Sequence, residues 1–72
     1  MSQQITAFVL GKRIAHLRKV KKMTQLDLAI ESGIAKSYIC ELEAGKRNPS
    51  LSVLERVALA LRVSLSELFE GV

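Results

Sequence analysis

The chain has 72 residues, 49% of them hydrophobic, and 11 Lys and Arg against 7 Asp and Glu, for a formal charge of +4. This length fits one domain spanning residues 1–72. A chain this short buries only about 60% of the surface its unfolded form exposes, so joining a second copy is a ready remedy. The apolar content argues against disorder. The single cysteine, Cys40, rules out an internal disulfide and suits a reducing cytoplasm. No apolar run approaches the roughly 20 residues of a membrane span. The Ile5 to Leu10 run is too short for a signal-peptide core, and nothing basic precedes it.

The pattern predicts an all-α chain of about five helices with short connections. The first is expected from about Ile5 to Lys22, with Val9 or Leu10, Ile14, Leu17 and Met23 or Val20 at helical spacing and Gly11 as a mild weak point. This segment carries six basic residues (Lys12, Arg13, Arg18, Lys19, Lys21 and Lys22) and no acid. It reads equally as a polyanion-seeking flank or as a solvated helix face. Thr24, with Asp27 three residues on, opens a second helix from Gln25 to Ser32 that buries Leu28 and Ala29 and stops at Gly33. A third follows from Lys36 to Ala44, ending at Gly45. After a polar turn, Ser50 caps a fourth from Leu51 to Leu61 or Arg62, with Leu51, Leu54, Val57, Ala58 and Leu61 on its apolar face. Ser64 to Glu67 is a capping box for a short fifth helix carrying Leu65, Leu68 and Phe69.

The informative stretch is Gln25 to Leu42, QLDLAIESGIAKSYICEL. A helix, a tight turn at Gly33 and a second helix make a helix-turn-helix. Small Ala29 permits close approach of the two helices, Gly33 accepts a positive φ, and Ile34, Ile39 and Leu42 anchor the second helix. On a wheel of about 100° per residue, Ile39 and Leu42 point to the core. Ser37, Cys40, Glu41 and Ala44 point the other way, with Lys36 at the edge. That small, polar face suits a major groove about 12 Å wide.

At this point the chain resembles a known family, the phage repressor and Cro-like (Xre) regulators with a lambda repressor-like DNA-binding domain. The shared pattern is LRKxKKMTQxxLAxxSGIxKSYIxxLExGKRxPSL, then LxxVAxAL, then SxxELF, covering about Leu17 to Phe69. The small controller proteins of restriction–modification systems look nearest in length and ending. One departure is Ala35, where the family usually places Ser or Thr as the cap of the recognition helix; an Ala cap costs about 1 kcal/mol.

The resemblance implies a sequence-specific regulator that binds double-stranded DNA as a homodimer on a palindromic operator, with RNA polymerase as a further partner. It places Lys36, Ser37 and Glu41 at base edges: Lys36 donating to guanine, Ser37 adaptable, Glu41 accepting from cytosine. Lys36 reads equally as a phosphate contact, and Glu41 as the ion-pair partner of a nearby Lys or Arg. Cys40 is a small space-filler, a base or methyl contact, or a redox switch. Thr24, Gln25, Tyr38, Lys46, Arg47 and Asn48 are expected on the DNA backbone. Tyr38 also has a packing role, and an ordinary polar turn is the plain alternative for Lys46 to Asn48. The family further implies a partly buried Arg18–Glu43 ion pair. Leftover apolar surface at Leu65, Leu68, Phe69 and Val72, together with neighbouring residues of the fourth helix, is expected to form the dimer interface, although some of it must close the monomer core.

Other chemistries are poorly supported. There is no Gly-rich phosphate loop, no paired-carboxylate signature and no nucleophile with a nearby His, so an enzyme is not expected. His16 has no metal-ligand companions. No cofactor, metal or small-molecule ligand is expected. The alternative function is an antitoxin-type module that binds a toxin partner as well as DNA.

Overall fold

In the computed structural model, the backbone is described for residues 3–72 and side chains from residue 6 onward. Regular structure among these residues is helical: α1 (Gln3–Val20), α2 (Gln25–Ser32), α3 (Lys36–Glu43), α4 (Leu51–Leu61) and α5 (Leu65–Leu68).

Each helix start carries a local reason. Thr24 Oγ1 accepts from the Asp27 N–H at 3.0 Å, and Asp27 Oδ2 accepts from the Thr24 N–H at 2.8 Å, a complete capping box. Hydrogen bonding to the carboxylate, first from the Thr24 backbone N–H and then from the Thr24 side chain, favours ionised Asp27 and holds its carboxyl below the usual range. Ser50 caps α4 through the Val53 N–H, and Ser64 with Glu67 repeats the capping box on α5. Ala35 gives α3 no side-chain cap.

The helix ends depart from expectation in an instructive way. α1 ends at Val20, two residues before Lys22, because Lys22 takes a left-handed conformation (φ 59°). The Lys22 N–H then donates to Lys19 O at 2.9 Å and the Met23 N–H to Arg18 O at 3.0 Å, a Schellman closure on a lysine. α4 closes in the same way on Arg62 (φ 59°), with Arg62 donating to Leu59 O and Val63 to Ala58 O. A left-handed non-glycine costs about 1–2 kcal/mol, so tertiary packing sets these two ends. α3 ends at Glu43, one residue earlier than expected, with Ala44 as its cap.

The core gathers Leu10, Ile14 and Leu17 of α1, Leu28 and Ala29 of α2, Ile39 and Leu42 of α3, Leu54, Val57, Ala58 and Leu61 of α4, and Leu68 of α5, with Ile34 from the turn. Of the expected alternatives, Leu10 and Met23 pack inward, while Val20 is 59% exposed. Leu51 is also outside the core, at the solvent-facing first turn of α4. Leu68 is wholly buried within one chain, so it cannot belong to an exposed dimer surface as expected.

Gly11 is a packing requirement and not a weak point. A Cβ there would collide with the Leu42 carbonyl oxygen and lie 2.8 Å from the Glu43 carbonyl oxygen. Its absence lets α1 lie directly on the last turn of α3. Gly33 adopts φ 70° in the turn between α2 and α3, as the helix-turn-helix reading requires.

Candidate nucleic-acid interface

α3 lies across α1 and α2, with Ile39 and Leu42 fully buried beneath it. Its opposite face carries Lys36, Ser37, Cys40 and Ala44, all exposed, and the half-buried Glu41. The wheel and the structure therefore agree on which side of α3 faces solvent. Cys40 is exposed, which removes its reading as a space-filler.

The far end of α3 is held by an arginine of α1. Arg18 Nε lies 2.7 Å from Glu43 Oε2 and Nη2 lies 3.0 Å from Oε1, a bidentate pair with side chains 11% and 7% exposed. Arg18 Nη1 also donates to Met23 O at 2.8 Å, inside the turn that joins α1 to α2. Hydrogen bonding to Glu43 raises the Arg18 guanidinium above its already high ordinary value, against the opposing effect of burial. Gln25 joins the network, its Nε2 donating to Glu43 Oε1 at 3.1 Å. One amide hydrogen of Gln25 is therefore spent inside the protein.

Glu41 is likewise engaged. Arg47 Nε and Nη2 each lie 2.9 Å from Glu41 Oε1, and the Arg47 guanidinium sits 5.1 Å from the centre of the Tyr38 ring. The ion pair, one of the two expectations for Glu41, is present. Tyr38 is half-buried, packed against the core on one side and under Arg47 on the other. Lys46 and Asn48 are exposed, and with Arg47, Gly45, Ala7 and Phe8 they line an open notch of about 550 Å³ beside the end of α3.

The basic flank divides once the contacts are visible. Arg18 is consumed by Glu43, and Arg13 reaches the end of α5, its Nη2 donating to Glu67 O at 2.9 Å. Lys12, Lys19, Lys21 and Lys22 remain exposed. Lys12 stands 4.9 Å over the Phe8 ring, next to the notch, a position that charge counting alone does not single out. At the start of α2 the capping box occupies the Thr24 N–H and brings the Asp27 carboxylate to that helix end, which weakens it as an anion site.

Sequence reasoning also missed Arg56. Its Nε donates to Ser32 O at 3.1 Å and its Nη2 to Gly33 O at 2.8 Å, capping the end of α2 from α4. No local signal marks Arg56, since its partners are 23 and 24 residues away. On α4, Leu59 is 80% exposed and forms one wall of a groove with Glu55, Ala58, Val63 and Leu65. Phe69 and Val72 are 38% and 42% exposed. Among the described residues no group of side chains could hold a metal ion, and no helix is long and apolar enough to cross a membrane.

Comparison with known proteins matches this geometry. A helix-turn-helix (HTH_3) family model covers residues 14–68. The chain is 45% identical over 56 residues to the immunity repressor protein of Bacillus phage phi105, covering 78% of this chain but 39% of the repressor, so it spans about two fifths of that relative. It is 36% identical over 63 residues to control protein C.MunI of Mycoplasma sp, covering 86% of this chain and 85% of that protein. Among solved structures, the restriction-modification controller protein C.AhdI from Aeromonas hydrophila superposes with a TM-score of 0.88 at 37% identity, over 90% of this chain and 98% of that one. These relatives are repressors and control proteins, not enzymes, and the chain belongs to their helix-turn-helix family, the Xre-type regulators.

Proposed function

We propose that this protein is a sequence-specific, double-stranded DNA-binding transcriptional regulator that works as a homodimer, with α3 in the major groove. The observation that carries this reading is the α3 face. Lys36, Ser37, Cys40 and Ala44 are small or polar and exposed, on a helix whose other side is fixed by fully buried Ile39 and Leu42. Lys36 and Ser37 supply donors for base edges, and Cys40 is placed for a base or methyl contact. Lys46, Arg47 and Asn48 flank this face and serve the phosphates, as do Gln25 and the hydroxyls of Thr24 and Tyr38. A cytoplasmic location suits that role, and RNA polymerase is a further partner that we infer for it.

The dimer surface we infer differs from the sequence-based set. Leu59 of α4 joins Leu65, Phe69 and Val72, and Leu68 drops out because it is already buried. A symmetric pair would place two copies of α3 in successive major grooves about 34 Å apart, which calls for a palindromic site. Selecting bound sequences from random duplex DNA tests the whole reading. A palindromic consensus is expected, and recovery of no consensus would overturn it. Leu59→Glu should give a folded monomer in sedimentation, because an 80% exposed side chain contributes little to one chain's core.

A protein partner alongside DNA, as an antitoxin would have, finds some support in Leu26 and Ile30 of α2. They are 52% and 69% exposed, on a helix that contributes no residue to the proposed dimer set. A second protein that co-purifies in fixed ratio would favour it.

A further inference from the structure

Glu41 poses a problem for any DNA-binding role. It is a carboxylate on the face expected to meet a polyanion, where unscreened it would repel the phosphates. The structure gives it a partner instead. Both Arg47 Nε and Arg47 Nη2 lie 2.9 Å from Glu41 Oε1, and Tyr38 lies beneath the guanidinium. Arg47 and Glu41 side chains are 50% and 45% exposed. A half-exposed pair of this kind adds little to folding stability, so stapling the fold does not account for it.

The arrangement has a directional consequence. A guanidinium carries five N–H donors in a fixed plane. The Glu41 oxygen accepts from Nε, with Nη2 at the same 2.9 Å as an ion-pair contact, which leaves the two Nη1 donors on the other edge. The Tyr38 ring restricts the plane of the group, and Glu41 restricts its rotation within that plane. An arginine already ordered in this way loses less freedom when it grips a phosphate than a free one does.

Resting on the DNA-binding reading above, we propose that Glu41 is a positioning residue that reads no base: with Tyr38 as platform, it holds Arg47 as a ligand for a backbone phosphate. Sequence preference then belongs to Lys36, Ser37 and Cys40, while Glu41, Tyr38 and Arg47 form one affinity unit.

The sign of one substitution separates this from the alternatives. Glu41→Gln removes a negative charge close to DNA, so simple electrostatics demands tighter binding. Positioning demands the reverse. Binding of the full chain to a duplex carrying its selected site, and to a scrambled duplex, can be followed by fluorescence anisotropy across a salt series. Glu41→Gln should weaken both by about three- to tenfold and leave the preferred sequence unchanged. Arg47→Gln should weaken both and flatten the slope of log K against log salt by about 0.9. In the Arg47→Gln background, Glu41→Gln should now tighten binding, because only repulsion is left for it to remove. Tyr38→Phe, which keeps the ring, should preserve this reversal. Thermal melts should stay near wild type for every variant, since the pair is half-exposed. Unchanged or tighter binding by the single Glu41→Gln variant would overturn the proposal, and so would a changed preference at one base position. If the wild-type chain bound neither duplex at low salt, the DNA-binding reading itself would fail, a result distinct from either of these.

Discussion

Gly11→Ala sets two forces of opposite sign against each other. Helix propensity alone says the change should stabilise α1, because alanine is favoured over glycine by about 1 kcal/mol within a helix. Packing says the opposite. The new methyl would collide with the Leu42 carbonyl oxygen and sit 2.8 Å from the Glu43 carbonyl oxygen and 3.0 Å from its carbonyl carbon. These are backbone atoms in the last turn of α3, and they cannot swing aside as the tip of a side chain would. α3 must move off α1, which loosens Leu10 and Ile14 against Leu42 and stretches the Arg18–Glu43 pair. Overpacking of this kind costs about 1–3 kcal/mol before lost contacts are added, so a net loss of about 1–3 kcal/mol is expected after the propensity gain. A chain this small has about 4–10 kcal/mol in total. A loss of 2 kcal/mol would lower the melting temperature by about 10 °C. Urea unfolding followed by circular dichroism measures the difference. Stability equal to or above wild type would show that α1 and α3 do not meet as described.

Further expectations follow from other contacts. Arg18→Met or Glu43→Gln should each cost about 2–4 kcal/mol by leaving its partner uncompensated at a largely buried site. The half-exposed Glu41–Arg47 pair should cost no more than about 1 kcal/mol in the same urea assay. Ala35→Ser should add up to about 1 kcal/mol by giving α3 the cap it lacks; no gain in melting temperature would mean that end is already satisfied. Because folding lowers the Asp27 pKa, its contribution is complete above the unfolded value of 3.8 and fades as pH falls below that towards the folded value. Asp27→Asn should therefore flatten the acid limb of the stability curve in that window, and a wild-type-shaped limb would count against the capping box.

Much of the architecture could be read locally because its causes are local. Thr24 with Asp27, Ser50, and Ser64 with Glu67 announce three helix starts within four residues each, and all three form as spelled. Ile39 and Leu42 against Ser37 and Cys40 orient α3 by periodicity alone. What stayed hidden depends on distant partners. Arg13, Arg18 and Arg56 look alike as charges, yet each is spent on a different carbonyl or carboxylate far along the chain. Only Arg18 was foreseen, through family resemblance and not through spacing. Lys22 and Arg62 end their helices without the glycine that would advertise it. Leu68 was misplaced because a four-residue helix has no resolvable face. In that setting an apolar residue reads equally as core or as interface.

These contacts also explain how so short a helix would be held in place for the reading role proposed for it. α3 has eight residues and no side-chain cap, and isolated helices shorter than about 12–15 residues are marginal in water. Its position must therefore come from outside. Nearly all of the bracing falls at its C-terminal end: Gly11 permits backbone contact there, Arg18 and Gln25 converge on Glu43, Arg47 ties to Glu41, and Gly45 closes the last turn. Lys36 and Ser37 stand at the other end, where Ala35 contributes only its carbonyl oxygen, to the Tyr38 and Ile39 N–H groups. Two of the three proposed reading residues thus occupy the less constrained end of a helix anchored at its far end. That division lets the fold fix the height and direction of α3 while Lys36 and Ser37, proposed to meet the bases, retain freedom to adjust. In the proposed role it would also place the burden of affinity where the scaffold is stiffest, since an ordered cation loses less on binding than a free one.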